Sequence, residues 1–185
     1  MDRNKISEGS IRVELLKKIA IIGPECTGKT ELAEALADHY QTEWVPEYAR
    51  HFIDHLNTPY GESDLLKIAK GQLKDEDELA KKAQSYLICD TNLVVIKVWS
   101  DYRYGHTDSW ILKSLATRKY DFYLLADIDI PWEPDPQREH PHMRAYFFNL
   151  YQDYLIENKL PFGLVTGLGS DRLQQAVKLI EGSFK

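Results

Sequence analysis

The stretch "IAIIGPECTGKTELAEAL", residues 19–36, runs from unbroken apolar residues through two glycines and a lysine into a helical pattern. Its first four residues predict a buried β-strand, because a short apolar run that ends at a glycine is typical of one. After Gly28, apolar and alanine positions such as Leu32 and Leu36 recur on one face of a helix. The stretch therefore predicts a strand, a glycine-containing loop and a helix in direct succession.

The loop itself, residues 23–30, reads "GPECTGKT" and matches the Walker A pattern G-x-x-x-x-G-K-[ST] between a strand and a helix. Glycines allow successive backbone N–H groups to converge on a phosphate at the helix N-terminus. We expect Lys29 to bridge the β- and γ-phosphates of ATP, and the Thr30 hydroxyl to ligate Mg²⁺. The predicted ATP-binding residues are Gly23, Glu25, Cys26, Thr27, Gly28, Lys29 and Thr30. The alternative is a tight turn that contains Gly and Lys by chance.

A second metal ligand is expected at the end of a neighbouring strand, because Mg²⁺ that bridges two phosphates is usually also held by an acidic group. The run "YLICD" ends in Asp90, which we predict to hold the metal directly or through water. Asp90 is also a candidate for accepting the proton of the attacking hydroxyl. The alternative is a helix N-cap, since Asp90 precedes a helical stretch, and the two roles are compatible.

Apolar runs alternate with segments of helical period along the rest of the chain, which is the pattern of a parallel sheet covered on both faces. The predicted strands are "KIAIIG" (18–23), "TEWV" (42–45), "YLICD" (86–90), "DFYLLAD" (121–127) and "FGLVTG" (162–167). The predicted helices are Gly28–Tyr40, Leu65–Ala83, Asn92–Trp99, Ser109–Thr117, Ala145–Glu157 and Asp171–Glu181. We expect an α/β fold of the P-loop NTPase, nucleoside-kinase-like type, with five parallel strands. Residues 1–18 are predicted to be a charged leader and residues 19–185 a single domain.

Charge and composition disfavour several classes of partner. Lys and Arg number 23 against 29 Asp and Glu, a net charge of −6, and no stretch gathers enough basic residues to follow a phosphate backbone. No run approaches the roughly 20 apolar residues of a membrane span. Cys26 and Cys89 form neither a disulfide framework nor a metal-binding spacing. We expect a cytoplasmic protein that binds a small molecule and neither nucleic acid nor membrane; the sequence indicates no particular oligomeric state.

Residues 127–144, "DIDIPWEPDPQREHPHMR", contain four prolines, which exclude a continuous helix or a central strand. They form a predicted loop that carries Arg138 and Arg144. A small-molecule kinase requires such a lid, which closes over the transferring phosphoryl group and neutralises developing charge. The alternative is ordinary surface pairing of these arginines with acidic neighbours. A GTPase is disfavoured, because "NKLP" at residues 158–161 lacks the aspartate of an N-K-x-D motif.

Together, "GPECTGKT", "VPEYAR", "ICDTN" and the lid sequence resemble the ribosylnicotinamide kinase domain of NadR-type proteins, over residues 19 to about 180. The resemblance implies transfer of the ATP γ-phosphate to the 5′-hydroxyl of nicotinamide riboside, which gives nicotinamide mononucleotide. The catalytic residues would then be Lys29, Asp90, Arg138 and Arg144. Full-length NadR is longer, so we expect this chain to correspond to the kinase alone.

The predicted substrate pocket lies beyond the carboxyl ends of the second and third strands, where ligands bind in parallel sheets. Nicotinamide riboside carries a cationic aromatic ring, so aromatic faces and carboxylates suit it. Glu47 is the first candidate for binding the ribose hydroxyls. The full predicted set is Trp44, Glu47, Tyr48, Arg50, Trp99 and Tyr102. The alternative is that the aromatic residues pack in the core.

Two other functions stay open at this point. One is a kinase for another nucleoside, nucleotide or small metabolite, because the loop and the lid bind phosphates and do not determine which acceptor binds. The other is a regulatory module that binds ATP and a pyridine nucleotide without turnover. The lid arginines argue against such a module, since a sensor has no need to neutralise charge in a transition state.

Overall fold

The computed structural model of the chain describes residues 15–185. Residues 1–14 of the predicted leader lie outside this range. The first strand begins at Lys17, within the segment predicted as leader. Within the described range, no helix combines the length and apolar content that a membrane crossing requires.

Within residues 15–185 the sheet has five strands, and all its neighbouring pairs are parallel, as predicted. The strands are β1 (Lys17–Ile22), β2 (Trp44–Val45), β3 (Tyr86–Asp90), β4 (Phe122–Ala126) and β5 (Phe162–Val165). Their order is β2-β3-β1-β4-β5, with Ile21 of β1 opposite Asp90 of β3. Parallel strands end at the same edge of a sheet, so the loop after β1 and the last residue of β3 lie side by side.

Helices connect the strands, and one of them was not predicted. The helices are α1 (Lys29–Tyr40), α2 (Tyr48–Asp54), α3 (Glu62–Leu79), α4 (Leu93–Tyr104), α5 (Ser109–Thr117), α6 (Arg144–Glu157) and α7 (Gly169–Ser183). The seven-residue α2 buries none of its residues. It was missed because a half-buried segment of only seven residues has no clear hydrophobic period. The lid is irregular except for one 3₁₀ turn, Pro141–Met143, directly before α6.

The two faces of the sheet are covered by different helices, because alternate residues of a strand point in opposite directions. On β1, Ile19 and Ile21 join a buried cluster with residues of α1 and α7. Ala20 and Ile22 join another cluster with residues of α4 and α6. This three-layer arrangement confirms the predicted α/β fold with helices on both faces.

A third cluster packs α2, α3, α4 and α5 against one another beside the sheet. Gly71 of α3 lies under the ring of Tyr48, where a Cβ atom would come within 2.2 Å of the ring carbons. The same helix carries Glu76, whose side chain is fully buried and accepts a hydrogen bond of 2.7 Å from the Tyr120 hydroxyl. This cluster fixes α2 and α3 as one wall of the cleft above the sheet.

Candidate active site

The glycine-containing loop leaves β1 and curls directly into α1. Gly23 has φ 147°, and a Cβ atom there would lie 2.9 Å from the carbonyl oxygen of Ala126 in β4. Gly28 precedes α1 with φ 65° and ψ 31°. Both positions need glycine, because other residues rarely adopt these angles and Gly23 has no room for a side chain. The Lys29 ammonium crosses the loop to the Pro24 carbonyl at 2.8 Å.

Thr30 and Asp90 meet at the edge of the sheet, as their strands predict. The Thr30 hydroxyl donates to Asp90 Oδ2 at 2.6 Å, whereas Oδ1 is buried without a hydrogen-bond partner. Burial and the Glu47 carboxylate raise the pKa of Asp90 to about 6, against the opposing effect of Lys29. The N-cap of α4 is Asn92, whose Oδ1 accepts from the Val94 N–H at 3.0 Å, so the cap role proposed for Asp90 belongs to Asn92.

These features fit a divalent cation at the Asp90 carboxylate. Removing a carboxylate from water disfavours its charge, and a cation is the ligand that compensates for this. Mg²⁺ in phosphate-binding sites takes one or two protein oxygens and completes its shell with phosphates and water. The orphaned Oδ1 of Asp90 and the Thr30 hydroxyl are oxygens of this kind.

The lid contacts the loop around one residue, Cys26. Arg144 donates through Nη1 to the carbonyl of Ile130 at 2.8 Å and through Nη2 to the carbonyl of Cys26 at 2.9 Å. Arg138 contacts the Cys26 sulfur at 3.3 Å and also donates to the backbone carbonyl of Glu133. In the described range neither arginine forms an ion pair with the acidic residues of the lid. The two arginines predicted from the sequence therefore lie beside the loop, while their catalytic roles stay predictions.

Glu25 also ties the lid to the loop. Its carboxylate accepts from the backbone N–H groups of Glu139 at 3.0 Å and of His140 at 3.3 Å. Burial raises the pKa of Glu25, although these two N–H groups and the nearby Lys29 act in the opposite direction. The carboxylate thus lies between the loop and the lid and accepts hydrogen bonds from the lid backbone.

The lid spans the cleft and contacts its far wall as well. Asp135 forms an ion pair of 3.0 Å with Arg50 of α2. Glu139 pairs with Arg103 of α4 at 3.0 Å, and the Arg103 guanidinium lies 4.7 Å from the centre of the Tyr60 ring. Asp135 and Glu139 therefore pair across the cleft and not with the lid arginines.

The loop, the lid and the α2–α4 wall enclose one cavity of about 780 Å³. All seven predicted ATP-binding residues line it, as do Glu47, Arg50 and Trp99 of the predicted substrate set. The cavity walls also include apolar side chains of the third cluster, such as Ile68 and Ile96. The cavity is therefore continuous from the phosphate loop to a partly apolar far end.

Three predicted substrate residues do not line this cavity. Trp44 packs on the opposite face of the sheet, against the cluster that contains α1 and α7. The Tyr48 ring covers Gly71 on α3. Tyr102 packs edge-on against Trp99, at 6.2 Å between ring centres, and donates to the Met143 sulfur at 3.2 Å. The placement of Trp44 and Tyr48 corresponds to the packing alternative, whereas Tyr102 is 37% exposed and lies outside the core.

Residues 18–172 match the sequence profile of AAA_28, an AAA domain. The chain belongs to this family. The phosphate loop, Asp90 and the lid all lie within the matched range, so the site described above is part of the AAA_28 domain.

Two curated relatives extend the comparison. The trifunctional NAD biosynthesis/regulator protein NadR of Salmonella typhimurium is 27% identical over 175 residues, which cover 90% of this AAA_28 chain and 42% of the relative. The NadR protein of Escherichia coli is 27% identical over 155 residues, which cover 80% of this chain and 37% of the relative. The chain thus spans about two fifths of the length of these relatives. The resemblance to NadR is confirmed.

Solved structures show the same fold. A NadR structure in complex with NR has a TM-score of 0.77 at 19% identity and covers 90% of this chain and 51% of that one. A NadR structure in complex with NAD and AMP-PNP has a TM-score of 0.73 at 20% identity, and the match covers 90% of this chain and 49% of that one. Thymidylate kinase from Ehrlichia chaffeensis has a TM-score of 0.60 at 17% identity, and the match covers 89% of this chain and 98% of that one. The P-loop fold predicted for this AAA_28 chain is confirmed.

The sequence did not identify several residues around the site. Tyr60, Arg103 and Tyr151 line the cavity, and Arg172 of α7 contacts the phosphate loop from behind. Arg103 directly follows Tyr102, a predicted substrate residue, so the sequence already pointed to this part of the chain. Arg172 ends the turn "GLGSDR", residues 167–172, which follows the last predicted strand near the nucleotide site, but nothing in that turn indicates a contact with Thr27, 145 residues away.

Proposed function

We propose that this chain is an ATP-dependent kinase that phosphorylates nicotinamide riboside at its 5′-hydroxyl to give nicotinamide mononucleotide. The observation that carries the proposal is the cavity of about 780 Å³ shared by the phosphate loop and the lid, whose wall includes Thr30, the hydrogen-bond partner of Asp90, and Arg138 of the lid. Its size suits two small substrates that meet end to end. The far end of the same cavity would receive the riboside.

The names of the similar proteins support the same reaction class. The curated relatives are NAD biosynthesis proteins, and the solved NadR complexes contain NR in one case and NAD with AMP-PNP in the other. AMP-PNP is an analogue of ATP, which suits a site built around a Walker A loop. Thymidylate kinase and deoxyadenosine kinase share the fold, which is consistent with a phosphoryl acceptor of nucleoside type.

In the proposed reaction the 5′-oxygen of the riboside attacks the γ-phosphorus of ATP while the bond to the β,γ-bridging oxygen breaks. ADP leaves, and the hydroxyl proton passes to a carboxylate. Asp90 is the first candidate, because burial and Glu47 raise its pKa to about 6, close to the working pH. Lys29, Arg138 and Arg144 would offset the charge on the transferring group.

When bound, Mg²⁺ screens the phosphate charge, and Thr30 and Asp90 are the residues that would hold it. If Asp90 holds the metal directly, the Glu47 carboxylate, which lines the cavity and raises the pKa of Asp90, is the alternative acceptor for the hydroxyl proton. Phosphoryl transfer makes only a weak demand on a base, so either assignment is compatible with the reaction.

The charge of the cavity favours a cationic nucleoside over a nucleotide as acceptor. A nucleotide would need a further cation for its own phosphate, besides Lys29 and Arg138, which are assigned to the transferring group. Arg50, which lies in the cavity wall, is paired with Asp135 at 3.0 Å and lies 3.9 Å from Glu47. A positively charged nicotinamide ring would instead benefit from the carboxylates and from the face of Trp99. A kinase for another nucleoside is the second candidate, because the apolar part of the cavity does not identify a base.

The test is mass-spectrometric detection of products after incubation of the purified chain with Mg-ATP and one acceptor at a time. The acceptors are nicotinamide riboside, the common nucleosides and their monophosphates. The controls are Lys29→Met, in the loop, and Lys67→Met, an exposed lysine that pairs with Asp64 on α3. We expect one added phosphoryl group on nicotinamide riboside, loss of product with Lys29→Met and no change with Lys67→Met.

Other results would change the proposal in defined ways. Phosphorylation of a different acceptor would support a kinase but show that the proposed substrate, nicotinamide riboside, is wrong. Binding of Mg-ATP without any product would contradict the proposal and favour a regulatory module that senses nucleotides.

A further inference from the structure

Arg172 lies in the first turn of α7 and is only 4% exposed. Its Nη2 donates to the carbonyl of Thr27 in the phosphate loop at 2.7 Å, and its Nη1 donates to the carbonyl of Gly167 at 3.4 Å. A Cβ atom on Gly28 would lie 3.2 Å from Nη1, so the guanidinium packs directly against the back of the loop. One side chain therefore joins the segment after β5 to the phosphate loop.

The charge of Arg172 is not paired. In residues 15–185 no carboxylate oxygen lies within 4.0 Å of its guanidinium, and its Nε is buried without an acceptor. Burial lowers the pKa of Arg172, and Asp129 and Glu31 oppose this from a greater distance. An arginine nevertheless stays protonated at neutral pH. The positive end of α7 adds to the cost of placing a cation there. Such a cation is stabilised when an anion binds nearby.

The contact with Thr27 also fixes the direction of an N–H group. In a trans peptide the carbonyl and the following N–H point in opposite directions. Holding the Thr27 carbonyl on Arg172 therefore turns the Gly28 N–H away from α7. Arg144 does the same for the preceding peptide through the Cys26 carbonyl at 2.9 Å. Cys26 and Gly28 have φ values of 55° and 65°, and positive φ at such positions gives the curled backbone that gathers N–H groups around an anion.

We infer that Arg172 is a positioning residue of the nucleotide site, which holds the Thr27–Gly28 peptide in its phosphate-binding orientation and supplies an unpaired positive charge behind the loop. The inference rests on the proposed function for the identity of the anion, the triphosphate of ATP. Loss of the guanidinium frees the peptide to rotate and removes the charge. Hydrogen bonds to charged groups are among the stronger ones, so we expect at least about tenfold weaker binding of Mg-ATP.

The experiment compares Arg172→Gln with a matched control, Arg118→Gln. Arg118 is also an arginine held by hydrogen bonds, but its partner is Asp77 on α3, outside the phosphate loop. Hydrogen–deuterium exchange over residues 23–30 is measured without nucleotide, and Mg-ATP affinity is measured by calorimetry. Arg172→Gln should raise exchange in the loop and weaken binding, whereas Arg118→Gln should do neither. Arg172→Lys, which restores the charge and one donor, should recover part of the affinity.

A folded Arg172→Gln chain with wild-type loop exchange and wild-type affinity would overturn the inference. If this variant does not fold, ¹⁵N-labelled wild-type protein decides, because the Arg172 Nε–H resonance should shift on addition of Mg-ATP. A resonance that stays in place at saturation contradicts the inference. Failure of the wild-type chain to bind Mg-ATP would instead remove the proposed function, and loop exchange in Arg172→Gln would still test the role of Arg172.

Discussion

Asp90→Asn should stabilise the chain in the absence of magnesium and nucleotide, although it removes a residue that we place in the active site. Asp90 is 1% exposed, and its pKa rises from 3.8 to about 6, first because of burial and then because of Glu47. At about 1.4 kcal/mol for each pKa unit, ionisation of Asp90 costs the folded state about 3 kcal/mol at pH 7.5. Asparagine carries no charge and can still accept the Thr30 hydrogen bond. We therefore expect a gain of up to about 3 kcal/mol in the free energy of unfolding.

The pH dependence gives the sign of the effect a second test. The folded pKa lies above the unfolded one, so the folded chain binds more protons between pH 3.8 and about 6. Wild-type stability therefore falls as the pH rises through this window, and the asparagine variant lacks this loss. The advantage of Asp90→Asn at pH 7.5 should shrink by about 2 kcal/mol at pH 4.5.

The assay is urea unfolding at both pH values with a chelator present. Asp101→Asn is the matched control, on α4. Burial raises the pKa of Asp101, but hydrogen bonds from Lys97 and Thr107 outweigh burial and leave its pKa below the usual value. This variant should lose stability at pH 7.5, the opposite sign. The reasoning would be refuted if Asp90→Asn were less stable than wild type at pH 7.5. It would also be refuted if the gain in unfolding free energy over wild type were the same at both pH values.

Three further predictions concern the loop, the lid and the cleft wall. Lys29→Met should lower kcat by at least about a hundredfold with little change in the urea midpoint of unfolding. Steady-state kinetics measure the first quantity and urea unfolding the second, and a kcat near the wild-type value would contradict the prediction. Arg138→Met and Arg144→Met should each lower kcat by about a hundredfold, and wild-type kcat in both would remove the catalytic role of the lid. Gly71→Ala should destabilise the chain although alanine favours helices by about 1 kcal/mol, because its Cβ would enter the Tyr48 ring; a raised melting temperature would show that the ring moves aside.

Features carried by one short segment could be predicted from the sequence. The phosphate loop follows from its own spacing, and Asp90 follows from its place at the end of a strand beside β1. Features that depend on the packing of distant segments could not. Trp44 lies at the end of β2 as expected, but the sequence does not say that its ring turns to the face covered by α1 and α7. Arg172 reaches Thr27 only because β4 and β5 extend the sheet on that side of β1.

The continuity of the cavity has a kinetic consequence for the proposed kinase. Donor and acceptor would occupy one chamber under one lid, so the phosphoryl group passes between them directly and needs no phosphorylated enzyme as a carrier. Initial velocities measured against both substrates should then give intersecting and not parallel reciprocal lines. A single in-line displacement also inverts the configuration at phosphorus. With ATP that carries a chiral γ-phosphoryl group, the phosphorylated riboside should therefore have the inverted configuration.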